Sequence, residues 1–429
     1  MNPIASSLIK SLLGLINLGF AAAILFFAVA IFTDWLIHTR IRGYVGKIKW
    51  ITLEIRVPGE NFKSIKSMEQ VFVSLHGTYS FGVKPVEVFK EGKVEDWLSC
   101  EIVGTSNGVR FYVTTPSKFR NLIESSFFSQ YPDVEIEEIE DYVKTMPEVV
   151  PNDQYDIFGQ DYILARGSFY PIRTYPEFEG IKEEKSTDPI SPLIEMMSNL
   201  KEEERVWVQI LIKAAGDDWK KKGEAEISKI AGQPKKEEKK SGALAGTGMF
   251  VKNLISAPVV YPTWGSAPEK KAEPPVKFLN PYEQNVAKAI ANKIGKVGFE
   301  TIIRVIYIDK KEGFNKANLS ALSGAFRIFN TQDLNAFRPG NGTLTSATKV
   351  GRTFKKWRLL ERKKLLFRAY RERLVKLPIA QYLRLQDSVL NAEELATIFH
   401  PPASFVQAPR LTQLEAKKGT PPMNLPITG

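Results

Sequence analysis

Between Ser11 and Phe32 the chain reads "SLLGLINLGFAAAILFFAVAIF", 22 positions without one charge. As a helix, such a run crosses the roughly 30 Å hydrocarbon layer of a bilayer. A cleaved signal peptide is the rival reading, but its apolar region usually spans about 7–15 residues. This run is longer, and no small-x-small site follows it, so residues 1–40 are expected to be a permanent transmembrane anchor. Lys10 precedes the run, while Arg40, Arg42, Lys47 and Lys49 follow it against Asp34. The positive-inside bias then puts the N-terminus outside and the bulk of the chain in the cytoplasm, tethered by one pass to the plasma membrane. Trp35 stands where an interfacial aromatic belongs. The single cysteine, Cys100, agrees with a reducing compartment. The last residues include "LPITG", a sortase-like pattern, but the apolar tail and basic stop such a signal needs do not follow it. The match reads as accidental.

Behind the anchor, two periodicities alternate. "IKWITLEIRV" (48–57) sets Ile51, Leu53, Ile55 and Val57 on one strand face. "NFKSIKSMEQVFVSLHG" has helical spacing, with Asn61 as its N-cap and Gly77 as its stop. "WLSCEIVG" and "GVRFYVTTP" are strands joined by a turn at 105–108. A helix follows Pro116, and "DVEIEEIE" is a last strand. The order βαββαβ predicts a ferredoxin-like domain over 45–145.

A second such domain is expected over 155–335. Its strands are "YILARGSFYPIRTY", "RVWVQILIK" and "ETIIRVIYI", its helices "PISPLIEMMSNL", 281–294 and 316–329. "YLRLQDSVL" is the candidate for its fourth strand. Residues 214–276, rich in charge, Pro and Gly, read as a mobile insertion. Within it, "MFVKNLISAPVVYPTW" either packs loosely on its own domain or touches a membrane or partner. The fold class is therefore α+β: an N-terminal transmembrane helix, two ferredoxin-like domains and a basic helical region over 345–429.

Catalytic constellations are thin. His38, His76 and His400 fall in unrelated places, and no His/Cys/Asp/Glu set has metal-ligand spacing. No serine sits in a G-x-S-x-G elbow. The glycine-rich "SGALAGTGM" and "RPGNGTLTSATKVG" lack the phosphate-cradling G-x-x-x-x-G-K-[ST] pattern. The carboxylates of "EIEEIED" suit a solvated edge strand. The sequons at Asn318 and Asn341 lie on the cytoplasmic side and are discounted. No enzyme, metal or cofactor is expected.

The formal charge of +11 points to phosphate-bearing partners. It concentrates in 352–376, "RTFKKWRLLERKKLLFRAYRERLVK", with 11 Lys/Arg against two Glu. Trp357, Leu360, Phe367, Tyr370 and Leu374 recur at helical spacing, so the segment is a basic amphipathic helix. Its candidate phosphate contacts are Lys355, Lys356, Arg358, Arg362, Lys363, Lys364, Arg368 and Arg371. Three readings stay open: an apolar stripe packed on its own domain, DNA phosphates, or an anionic leaflet or acidic partner.

"VLNAEELATIFHPP" (389–402), "VQAPRL" (406–411) and "PPMNLP" (421–426) resemble the linker of membrane-anchored ATPases of type IV secretion and conjugation, pumps of the FtsK/HerA type. There a membrane helix and ferredoxin-like domains precede a linker that leads into the ATPase core. The resemblance covers the organisation of residues 40–429 and is specific only near the end. This sequence contains no Walker A or Walker B segment, so no catalytic residue carries over. "LPITG" then reads as linker. The resemblance implies a non-catalytic component of a translocation machine, with a P-loop ATPase supplied in trans. That ATPase would dock near Leu390, Leu395, Ile398, Phe399 and His400. The alternative is a membrane-tethered DNA-binding adaptor; homo-oligomerisation stays open.

Overall fold

The computed structural model describes residues 3–58, 63–79, 82–178, 188–232, 279–340, 343–346, 354–375 and 388–402. Helix α1 (Pro3–Val45) contains the apolar run and is long and apolar enough to cross a membrane. The strands that follow form one antiparallel sheet. Its first half is β1 (Trp50–Arg56), α2 (Ile65–Leu75), α3 (Pro85–Glu91), β2 (Leu98–Thr105), β3 (Gly108–Pro116), α4 (Arg120–Gln130) and β4 (Glu135–Ile139). Its second half is β5 (Tyr155–Leu164), α5 (Ser191–Ser198), β6 (Arg205–Ala214), β7 (Gly298–Lys310), α8 (Lys316–Arg327) and β8 (Phe337–Pro339). Helices α6 (Asp218–Ile230) and α7 (Pro281–Ile294) lie between β6 and β7 in sequence. They belong to a second compact unit, Asp217–Gly295. The basic helix α9 (Lys355–Arg371), β9 (Ser388–Asn391) and α10 (Ala392–Ile398) close the described chain.

The strand order is β4-β1-β3-β2-β6-β7-β5-β8. Each half repeats one pattern: the fourth strand beside the first, then the third, then the second. The halves do not stand apart as the sequence reading expected. Leu98–Gly104 of β2 pair with Val206–Ile212 of β6 and fuse the two halves into one sheet. Both strands are buried along almost their whole length, so their backbone N–H and C=O groups need a neighbouring strand instead of solvent.

Several boundaries move. β5 begins at Tyr155, earlier than "YILARGSFYPIRTY" suggested. The fourth strand of the second half is β8, beyond residue 335, and pairs with β5. Of the "YLRLQDSVL" candidate, the described residues 388–390 lie in β9, which pairs with β7 at 298–301, and the others lie outside the described residues. Ser64 caps α2, its hydroxyl accepting from the Lys66 amide; Asn61 lies outside the described residues. Residues 218–230 of the expected mobile insertion form α6, whose Trp219 is buried. Residues 233–276 of that insertion, with "MFVKNLISAPVVYPTW", lie outside the described residues, as do "VQAPRL", "PPMNLP" and "LPITG".

The sheet has two unlike faces. One carries Leu53, Cys100, Phe111, Val113, Val208, Ile210, Ile303 and Val305 into a core with Phe72, Phe127, Ile194, Phe326 and Leu395 of α2, α4, α5, α8 and α10. The other is smaller. There Val103, Trp207, Ile306 and Ile308 meet Tyr142, Val143 and the α9 residues Leu366, Phe367 and Tyr370. Gly159 of β5 allows that approach, because a Cβ there would sit 2.7 Å from the Leu366 methyl.

Candidate nucleic-acid interface

Among the described residues, helix α9 is held at its C-terminal end and exposed at its N-terminal end. Leu366, Phe367, Ala369 and Tyr370, at i, i+1, i+3 and i+4, face the sheet and are buried. A row of polar residues lies beneath them: Tyr112, Glu101, Gln209, Arg304 and Asp161 stand opposite one another across β3, β2, β6, β7 and β5. Arg304, fully buried, donates to Asp161 at 2.9 Å, to the Ala369 carbonyl at 2.7 Å and to the Leu374 carbonyl at 3.3 Å. Gln209 donates to the Tyr370 carbonyl at 3.0 Å. A helix C-terminus leaves its last carbonyls unsatisfied and partly negative. Here the sheet supplies the donors and the positive charge.

Arg373, at φ 50° just past the helix, completes the attachment. It bonds Glu101 at 2.8 Å and Asp141 at 2.7 Å. Burial works against its charge, but Glu101 and Asp141 hold it protonated, its pKa well above the ordinary value. Asp141 shows the converse. Burial would raise its pKa, yet the bonds from Arg373 bring it below the usual carboxylate range. The hydroxyls of Tyr142 and Tyr370 lie 2.7 Å apart, and Tyr142 also donates to Glu101 at 2.9 Å. Burial raises both phenols well above their usual pKa. This network was missed from sequence, although it left a signal: one polar residue interrupts each apolar strand, as in "TIIRVIYI", "WVQILIK" and "SCEIVG".

The eight candidate phosphate contacts divide. Lys363 pairs with Asp156 at 2.6 Å and is largely buried. Arg362 donates to the Leu344 carbonyl at 2.9 Å, and burial lowers its pKa. Arg371 lies 3.8 Å from Glu148. These three serve the fold. Lys364 and Arg368 sit in exposed pairs with Glu361 and Glu372, which a phosphate can displace. Lys355, Lys356 and Arg358 are exposed and make no ion pair among the described residues. Three unpaired cations at the positive end of a helix dipole weaken the helix. Phe354 and Trp357 stand among them, 76% and 63% exposed. The expected stripe therefore ends early: Phe367 and Tyr370 are core, whereas Trp357 and Leu360 face solvent.

The free end lies away from α1. Trp50, five residues beyond the end of α1, packs on Trp97 at 5.1 Å, and Trp97 donates to the Arg373 carbonyl. The C-terminus of α9 is thus at the end of the sheet where α1 enters. Lys363 reaches Asp156, which pairs with Asp309 at the opposite end of β7. From Arg371 to Lys355 the helix rises roughly 24 Å. The cations and aromatics are carried to the far edge.

The proposed docking segment needs correction. Leu390, Leu395, Ile398, Phe399 and His400 are all buried within the chain's own unit. Phe399 meets Phe72 and Phe111 at ring separations of 6.3 and 5.7 Å. His400 approaches Asp188 at 3.1 Å and the Ala396 carbonyl at 2.7 Å. Asn391 caps α10, and the Glu394 carboxylate accepts from the Ile172 amide. The resemblance pointed to docking here because, in sequence, an outward and an inward apolar face read alike.

The fold and this site define a class: a fused antiparallel sheet behind an apolar helix, with a basic helix bolted across one face. The chain belongs to the family described as a domain of unknown function (DUF8128), which matches residues 45–363. That span includes every strand from β1 to β8 and the cationic half of α9. No curated protein matches the chain.

Proposed function

We propose that the protein is a membrane-tethered, non-catalytic module that binds nucleic-acid phosphates within a translocation machine of the type IV secretion kind. Its two halves are read as ferredoxin-like repeats, fused into a platform that holds the basic helix away from the bilayer. The observation that carries this reading is the set Lys355, Lys356 and Arg358, exposed and unpaired at the edge remote from the α1 junction. Unpaired cations beside exposed aromatic rings suit phosphates and bases. Their distance from that junction disfavours the anionic-leaflet reading of the same helix. In this reading α1 spans the plasma membrane with the sheet on the cytoplasmic side, and a P-loop ATPase supplies the work, as the resemblance implies.

Full-length protein in detergent should bind labelled DNA with an affinity that falls steeply with salt. Changing Lys355, Lys356 and Arg358 together to Glu should remove that binding while thermal unfolding stays put. Unchanged binding would sink the assignment of this site. For the partner, the full chain purified from native membranes should bring down a P-loop ATPase. A chain ending at Pro402 is the proper comparison, since cutting earlier deletes buried β9 and α10. If the full chain retains no ATPase, the translocation reading fails and the adaptor reading remains.

A further inference from the structure

Helix α3 is a short element on the surface beside α1. Gly92, at φ 69°, ends it against the Arg40 backbone, where any Cβ would overlap the Arg40 carbonyl. The Arg40 guanidinium lies 5.2 Å from the Phe89 ring centre and donates to the Phe89 carbonyl. These contacts fix α3 to the last turns of α1. Arg40 stands eight residues beyond Phe32, roughly 12 Å along a helix. The polar layers of a bilayer extend about 5–8 Å beyond its hydrocarbon on each side, so long side chains at this level reach them. At this level α3 exposes two apolar side chains, Val86 at 61% and Phe89 at 45%. Lys84 and Lys90 flank them in the chain, and Arg42, Lys47 and Lys49 follow at the same end of α1; all five are exposed and make no ion pair among the described residues. The nearby acids are mostly engaged: Glu87 with the Lys84 amide and Lys93, Glu95 with Lys213, Asp96 with Lys118. Glu91 is the exposed exception.

We infer that α3 is an interfacial foot, which rests Val86 and Phe89 against the headgroup layer of the leaflet that α1 enters while Lys84 and Lys90 meet its anionic lipids. Apolar side chains flanked by cations fit such a surface, and the clamp to α1 places them within reach. The foot would fix the tilt of the sheet relative to the bilayer, which a lone helix and a four-residue connection leave free. The inference rests on α1 spanning the membrane, and the test separates the two.

Cys100 is buried, and burial raises its thiol pKa, so the full chain with Val86→Cys or Phe89→Cys can be labelled with an environment-sensitive fluorophore at one site. Proteoliposomes of phosphatidylcholine, with and without phosphatidylglycerol, are compared by iodide quenching. Leu25→Cys reports on α1 insertion and Val149→Cys on solvent. The foot predicts that probes at 86 and 89 are shielded several-fold relative to 149, more so with anionic lipid. A basic side chain contributes about fivefold at an anionic leaflet, so Lys84→Gln with Lys90→Gln removes about 25-fold in binding and should abolish that gain. Quenching at both 86 and 89 equal to that at 149, with the probe at 25 shielded, overturns the foot alone. Full quenching at 25 overturns the membrane reading together with it.

Discussion

The two faces of the sheet are held by different physics. One buries aliphatic and aromatic side chains against five helices, an attraction that is non-directional and proportional to the apolar area buried. The other buries a row of charged and polar groups under one helix, and what binds that helix is directional: Arg304 and Gln209 to carbonyls, Arg373 to two carboxylates. A buried ion pair gives little net stability over an apolar substitute, but losing one partner is costly. It specifies position. The apolar face keeps the fold together; the polar face fixes the register of α9 and therefore where its free cations point.

The largest effect should come from the apolar face. Ending the chain at Leu374 deletes β9 and α10, uncovers Phe72 and Phe111, and should leave no soluble, cooperatively unfolding protein in detergent. Phe399→Ala, a milder cut at the same place, should cost about 3–5 kcal/mol in chemical unfolding. On the polar face, Asp161→Ala strands the fully buried Arg304 and should also cost about 3–5 kcal/mol. The comparison sharpens with Asp161→Leu plus Arg304→Met, which should recover most of that loss, whereas no partner change rescues Phe399→Ala. Failure of the rescue would mean that the row supports the fold as well as positioning α9.

A smaller effect is expected from acid. The folded pKa of Asp141 is depressed, so its contribution is present above its unfolded value of about 3.9 and lost as pH falls through the folded value. Unfolding midpoints measured from pH 5 down to pH 3 should fall more steeply for the native chain than for Asp141→Asn. Equal slopes would remove the Arg373–Asp141 pair from the account. Least of all, Lys355→Ala, Lys356→Ala and Arg358→Ala should shift stability by under about 0.5 kcal/mol each. A larger loss would show that these cations belong to the fold.

The alternation in "ITLEIRV" or "RVWVQILIK" is enough to name strands, because a strand's period depends only on its own backbone. The charge-free run before Thr33 names an apolar helix of membrane-spanning length in the same way, and the 11 Lys/Arg of 352–376 name a basic one. What sequence left undecided was partnership. β2 and β6, alike in pattern, turn out to pair and merge two expected domains, which no local periodicity records. Of eight equivalent-looking cations, the fold occupies Arg362, Lys363 and Arg371 and leaves Lys355, Lys356 and Arg358 open. "ELATIF", apolar in sequence, proves to be core because Phe72 and Phe111 stand where it arrives. Local spacing fixes which segments are helix, strand or membrane-length. Which faces are covered is a long-range matter, decided by contacts between residues far apart in the chain.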